Sequence, residues 1–388
     1  MSDNQILFII LILLYLTNCV LWTSRDSFVF RTMWNRNWKV LQGEIYVGAW
    51  DYRLIFLNPI LLPGNFFVCH ILPICVSRYG ATYLTPETGS TESRNERVGY
   101  LDFDKIHKVH SAGQIVLADG IPFLKTHSEA YAWHLADFLD SIRACVPDQR
   151  DATIETRLSV MMDADLAVFR IRQYRRQCRM LHLCSSALFV AVFALFPSIV
   201  WHWGLLRPAP FMFTYLVLNL CCSAWLFRNA HACLYPLQSE GRWSQVATIL
   251  LSPPAAIRAC DLLLKDLLCG FHPLVIARIT CNDSEFVGLA SRVLREIVSP
   301  PLVGGPSADD LISQCRNSHR ERLGRILEKF IAKTGMDPTE LLAPPARQSK
   351  VCLSYCPRCR VQFTRATGFC NDCKGVALQT LPLSGRPQ

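Results

Sequence analysis

Three stretches of this chain carry no Asp, Glu, Lys or Arg: Ile6 to Trp22, Leu183 to Trp203 and Phe211 to Phe227. At about 1.5 Å of rise per residue, a helix built on any of them crosses most or all of a hydrocarbon layer about 30 Å thick. The first and third are short, so their flanks must contribute. Trp22, Trp201, Trp203 and Trp225 stand near the expected ends, where amphipathic rings sit at headgroup level. A chain of 388 residues that is 51% hydrophobic and only 18% charged is too apolar for an ordinary soluble protein of this length. The expectation is an α+β membrane protein with three transmembrane helices: an anchor over residues 1–23 and a hairpin over 181–228.

The first stretch could instead be a signal peptide. Its leading residues, Met1 to Gln5, contain Asp3 and no Lys or Arg, and no small-x-small cleavage site follows, so a retained anchor is expected. Leu16-Thr17-Asn18-Cys19 echoes a lipoprotein cleavage box, but Asn18 occupies the place of a small residue, which disfavours lipidation at Cys19.

Orientation follows from the basic residues. Arg25, Arg31, Arg36 and Lys39 follow the first stretch, and Arg170, Arg172, Arg175, Arg176 and Arg179 precede the second, while the short loop between the second and third holds only Arg207. The positive-inside rule then puts the amino terminus outside and everything from about residue 24 to 182, and from Arg228 onward, in the cytoplasm of a multi-pass plasma or inner membrane protein. The formal charge of +9 becomes largely a topology signal.

Near the carboxy end, Cys356, Cys359, Cys370 and Cys373 stand in C-x2-C-x10-C-x2-C spacing. Each pair can form one knuckle of a tetrahedral thiolate site, and the intervening residues suffice for a hairpin that brings the knuckles together. This predicts a ribbon over residues 350–376 holding structural Zn2+, with rubredoxin-like iron as the runner-up. Thiolates need a reducing compartment, which agrees with a cytoplasmic ribbon. Cys352 is a spare thiol nearby, and the glycine usual after a knuckle is replaced by Arg360 in the first and displaced to Gly375 in the second.

Residues 41–146 read as a β domain closed by a helix. Gly43 to Leu57, Asn65 to Thr85, Arg97 to Phe103, Gln114 to Ala118 and Ile121 to Lys125 are rich in Val, Ile, Tyr and Phe, and Asp119-Gly120 is a tight-hairpin signal. Thr126 and Glu129 fit a capping box, after which Tyr131, Ala132, Leu135, Phe138, Leu139 and Ile142 recur at helical spacing. With Tyr100 to Ile106, Val109, the Gln114 to Leu124 hairpin and the Ser128 to Ile142 helix in this order, the segment resembles the bacterial pleckstrin-homology-like domains found beside membrane spans. That resemblance implies a binding or scaffolding module without catalytic residues.

The remaining regions are helical. Ala152 to Arg179, within a stalk over 151–180, has no Gly or Pro and reads as one helix entering the second span. A membrane-proximal region over 229–298 begins a helix at Ser252-Pro253-Pro254, where Ile257, Leu263, Leu264, Leu267 and Leu268 oppose Arg258, Asp261 and Lys265; this suits an interfacial helix or one packed on the protein's own core. An amphipathic helix is expected over 307–335, and Gly335, Pro338, Pro344 and Pro345 lead to the ribbon.

No phosphate-binding glycine loop, nucleophile elbow or H-E-x-x-H motif is present. His127-Ser128-Glu129 echoes a zinc deaminase signature, but the proline of its distal Cys pair is misplaced. His182 and His231 could ligate a haem, although interfacial side chains are the simpler reading. The chain is therefore expected to be a membrane-anchored scaffold or adaptor whose partners are membrane lipids and a cytoplasmic protein. The alternatives are a membrane enzyme or transporter with an unrecognised site, and a membrane-tethered nucleic-acid binder, which the cheaper explanation of the basic residues disfavours.

Overall fold

The computed structural model describes residues 27–31, 45–47, 66–70, 72–85, 97–126, 128–204, 206–236, 242–299, 310–373 and 375–382, and, of the first apolar stretch, only Ile9, Ile10 and Leu13, which are helical. The expected first transmembrane helix, residues 86–96 and much of Gly43 to Leu57 lie outside the described residues.

Among the described residues ahead of the carboxy-terminal unit, nine strands form three antiparallel sheets of three. In the first, β1 (Ser27–Arg31) lies between β2 (Ile45–Val47) and β3 (Phe66–His70), with Val29 opposite both Tyr46 and Val68. The sheet region thus begins before residue 41, where composition had drawn its boundary. In the second, β5 (Gly80–Thr85) pairs with β4 (Ile74–Val76) and β6 (Arg97–Asp102). Gly80 is required there by close approach: a Cβ would lie 2.2 Å from the Leu101 carbonyl oxygen. The third sheet is the meander β7 (Val109–Ala112), β8 (Ile115–Ala118) and β9 (Ile121–Lys125). Asp119 and Gly120 both have positive φ, 48° and 83°, as the expected two-residue turn demands. Pro122 sits on the edge strand beside the register shift at Val116/Leu117, where its missing N–H is tolerated.

Helix α1 (Glu129–Arg143) buries the expected stripe, Tyr131, Ala132, Leu135, Phe138, Leu139 and Ile142. Its cap differs from expectation. Ser128 Oγ accepts the Tyr131 N–H at 3.1 Å, whereas the Thr126 hydroxyl donates to the carbonyls of Gln114 and Ser128. Asp140 ties the helix to the third sheet by accepting the Val109 N–H.

The unbroken stalk is corrected. Helix α2 (Pro147–Met161) ends, and α3 (Ala164–Val190) restarts from Asp163, whose carboxylate accepts the Leu166 N–H at 2.9 Å. An Asp at this point competes for backbone donors and makes a better cap than an interior residue. Through a π turn at Ala191–Leu195, α3 continues into α4 (Phe196–Trp203). Pro197 offers no N–H to the preceding turn, and the wider π turn absorbs that loss. Helix α5 (Ala209–Leu234) returns antiparallel, with Phe196 edge-on to Tyr215 at 5.8 Å and the Cys184 and Cys222 sulfurs 3.7 Å apart.

Ala164–Trp203, 40 residues long, and Ala209–Leu234, 26 residues, are the two helices among the described residues long and apolar enough to cross a membrane. The two halves of this hairpin differ. Near its base, Tyr174, Cys178, Leu181, Ser185 and Leu188 of α3 and Ala224, Phe227, Ala230 and Leu234 of α5 are buried in the body. Toward its tip, Trp201 is 79% exposed and Phe211, Phe213, Leu218 and Trp203 are each about two-thirds exposed, a contiguous apolar surface rare on a soluble protein.

Helices α6 (Arg242–Leu251), α7 (Pro253–Ile257), α8 (Ala259–Leu268), α9 (Pro273–Thr280) and α10 (Asp283–Val298) follow. The segment from Pro253 packs in the core, not along a bilayer. Helix α8 touches β3, α3 and α5, and α9 touches β1 and α3. Ser185 Oγ donates to the Ala256 carbonyl and Tyr174 OH to that of Cys260. Arg258 and Asp261, expected to face solvent, form a buried ion pair at 3.0 Å with side chains 0% and 1% exposed. Helix α11 (Leu311–Lys333) lays Cys315, His319, Ile326, Leu327, Phe330 and Ile331 against α10 and the second sheet, while Leu311 at its first position is exposed. A short α12 (Pro338–Leu342) leads to the carboxy-terminal unit.

Candidate metal centre

The carboxy-terminal unit is made of very short strands. β10 (Ser354–Tyr355) is flanked by β11 (Gln362–Phe363) and β14 (Gln379–Thr380), while β12 (Phe369–Cys370) pairs with β13 (Val376–Ala377). The fold therefore runs past residue 376, since β14 completes the sheet. Cys356 and Cys359 bracket the turn after β10, and Cys370 and Cys373 the turn after β12.

Both turns close by backbone hydrogen bonds back to their first cysteine: Arg360 N–H to the Cys356 carbonyl at 2.9 Å, and Gly375 N–H to that of Cys370 at 3.0 Å. Each needs a left-handed residue. Gly375 takes it at φ 87° without strain, whereas Arg360 holds φ 65°, a conformation costly for a residue with a Cβ. The Arg360 guanidinium offsets part of that cost by donating to the Ala343 carbonyl.

The four cysteines offer sulfurs that all lie within 4.8 Å of one another, and among the described residues theirs is the grouping of three or more His, Cys, Asp or Glu side chains that could hold a metal ion. Cys359 Sγ and Cys370 Sγ are 3.7 Å apart. At a metal–sulfur bond of about 2.3 Å, the edge of a thiolate tetrahedron is about 3.8 Å. Cys352 stands outside the quartet. Cys356 and Cys370 are buried, Cys373 is half-buried and Cys359 is exposed.

The electrostatics fit a site built for a cation. Burial opposes ionisation at Cys356, yet the N–H groups of Cys359 and Arg358 and the adjoining thiols hold it below the ordinary thiol value. Burial and the facing Cys359 and Cys356 sulfurs push Cys373 up, and burial also raises Cys359. Four crowded sulfurs cannot all ionise on their own; a divalent cation supplies the charge that lets them.

The unit has little else to hold it. Its own apolar cluster is Cys356, Cys370 and Val376, with Phe363, Cys373 and Leu378 packed on it. It meets α10 of the body through Arg358 and Glu296 at 3.9 Å, and Gln362 Nε2 donates to the Ala346 carbonyl in the segment that leads from α12 into the unit.

No protein-family model, curated protein or solved structure matches this chain.

Other sequence candidates are placed apart from this centre. His182 Nδ1 meets Ser186 Oγ at 3.3 Å, and His231 packs between Phe227 and Tyr235. Sequence reasoning did not foresee a buried, titratable interior. His134, His272 and His319 are each held down to about 4 by burial, and Asp266 is pushed up to about 6, also by burial. Ordinary helical spacing hid them, because a polar residue on an apolar stripe carries no sequence mark of its partner.

Proposed function

We propose that this chain is a membrane-anchored adaptor. Its apolar hairpin inserts in the bilayer, its β region acts as a pleckstrin-homology-like module, and its ribbon, folded around structural zinc bound by Cys356, Cys359, Cys370 and Cys373, is offered to a cytoplasmic protein or to lipid headgroups. The observation that carries this reading is the union of a sulfur quartet within 4.8 Å with a hairpin whose tip is apolar and exposed. A closed four-thiolate set leaves no position for substrate, so the metal serves shape and not chemistry. Zinc binding free energy becomes folding free energy in a unit with so few buried apolar groups. The arginines before the hairpin and its lone Arg207 at the tip support a cytoplasmic body with the amino terminus outside.

The test is residue-resolved thiol labelling in intact cells. With an impermeant maleimide and mass mapping, Cys356 to Cys373 stay unlabelled until the membrane is opened, and labelling then rises on chelation. Labelling in intact cells overturns the topology. Absence of stoichiometric zinc in purified protein overturns the ribbon assignment, and release of the protein by alkaline carbonate overturns the inserted hairpin.

A further inference from the structure

A cavity of about 330 Å³ lies where α2, β4, the start of α9, α10 and α11 meet. Much of its wall is apolar, with Leu158 and Met161 from α2, Ile297 from α10 and Leu323 from α11. Its charged groups are Glu296, Arg316 and Arg320. Glu296 is answered from outside by Arg358 of the ribbon at 3.9 Å. Arg316 and Arg320 stand four residues apart, which puts both on one face of α11, and both are half-buried. Among the described residues neither meets a carboxylate, and Arg320 donates to the side-chain oxygen of Asn317 at 3.0 Å. Burial and the Cys315 thiol raise Cys75, a further wall of the cavity, and both guanidiniums pull it back, so the two charges bear on the same side of this space.

A second observation points to a ligand. His272 caps α9 and lines the cavity, and only 5% of it is exposed. Its Nδ1 accepts the Leu274 N–H at 3.2 Å, so the neutral ring carries its proton on Nε2. That N–H has no acceptor among the described residues. Unlike His319 Nδ1, the nitrogen is not sealed off by neighbouring atoms, so it opens on the cavity that the ring lines. A buried donor left without an acceptor is costly, and so is a guanidinium held beside apolar walls without a counter-charge.

What fills this space must bring negative charge, acceptor oxygens and apolar surface together. An inorganic anion leaves the apolar walls uncovered, and a metal ion would meet two arginines. A carboxylate on a short aliphatic chain supplies all three, in a volume at the small end of the range that ligands occupy. We propose that this cavity binds a small aliphatic carboxylate, whose oxygens accept from Arg316, Arg320 and His272 Nε2 while its chain packs on Leu158, Met161, Ile297 and Leu323.

The test is calorimetric titration of the full chain in maltoside micelles with hexanoate, after subtraction of a protein-free micelle titration. Hexanol, hexylammonium and inorganic phosphate are the neutral, cationic and tail-less controls. Saturable binding of hexanoate and of none of the controls is expected. Losing one hydrogen bond to a charged group costs about tenfold, so Arg316→Gln and Arg320→Gln should each weaken binding by about that factor, and the double variant by more. His272→Asn, which keeps an acceptor for the Leu274 N–H but removes the Nε2 donor, should weaken it to a similar extent. Arg172→Gln, which removes an exposed charge from α3, should leave it unchanged. Circular dichroism establishes that each variant is folded, and the two half-buried arginines serve if His272→Asn is not. No saturable binding of hexanoate, equal binding of hexanol or of phosphate, or unchanged affinity in the double arginine variant or in a folded His272→Asn would each overturn the proposal.

Discussion

The buried pair Arg258–Asp261 provides the sharpest energetic test of the body. Asp261→Ala would leave a guanidinium that is 0% exposed without the carboxylate 3.0 Å away. Breaking one side of such a pair costs about 3–5 kcal/mol. At about 1.4 kcal/mol per factor of ten, the folded population falls relative to unfolded by about a hundredfold to several thousandfold, against a total stability of about 5–15 kcal/mol for an ordinary domain. Replacing both partners is different. In Arg258→Met with Asp261→Leu, the desolvation of two charges disappears along with their attraction, and the double variant should lie within about 1 kcal/mol of the native chain or above it. The measurement is a double-mutant cycle on urea midpoints in detergent, with Arg258→Met and Asp261→Leu as the single arms. A single Asp261 variant costing under about 1 kcal/mol, or singles that add to give the double, would refute the account of a mutually dependent pair in the junction of α7 and α8.

Other outcomes follow from features already described. Stability should fall with acid: His134, His272 and His319 bind protons at about 6.5 when unfolded but only near pH 4 when folded. Their contribution is fully present above pH 6.5 and is lost toward pH 4, roughly 2 kcal/mol per histidine at pH 5, while Asp266, with its folded value raised to about 6, returns about 1 kcal/mol over the same range. A urea midpoint that is flat or rises between pH 7.5 and 5 would contradict this. Gly80→Ala should cost about 2 kcal/mol or more, because its Cβ meets backbone and not a movable side chain; a thermal midpoint equal to the native one would count against the close approach. Cys370→Ser, or chelation of the native chain, should expose the ribbon's amides to rapid hydrogen exchange and leave α1 to α10 protected, and protection that persists in the ribbon would mean that it folds without metal.

How far the sequence could be read depended on whether the cause was local. The Asp119-Gly120 turn, the α1 stripe, the uncharged stretches of the hairpin and the paired cysteines each depend on residues a few positions apart, and periodicity or spacing reveals them. The Met162–Asp163 break depends on one aspartate preferring a cap to an interior place, which an absence of Gly and Pro does not report. Ser128 displaced Thr126 as the cap of α1 because the Thr126 hydroxyl was claimed by Gln114, twelve residues away. Strand β1 carries the strand-favouring run Phe28-Val29-Phe30, but it is short and lies just after an apolar stretch, and it is the pairing with β2 and β3 that fixes it in a sheet. Helix α8 looked amphipathic because Arg258 and Asp261 were weighed as separate polar residues, and only their mutual neutralisation allows that face into the core. The quartet was fully legible as spacing, whereas its left-handed Arg360 was legible only as a glycine that was missing.

Strands β1 and β3 are covered by α9 and α8, and the Cys315 thiol of α11 reaches the Cys75 carbonyl 240 positions earlier in the chain. On a ribosome, the first sheets emerge long before the residues that cover them, and the hairpin is made in between. The body must therefore wait, with its apolar strands uncovered, until the hairpin has left the exit tunnel. If the hairpin inserts as proposed, insertion precedes completion of the core, and a chain stalled before residue 259 presents chaperones with open sheet edges beside it.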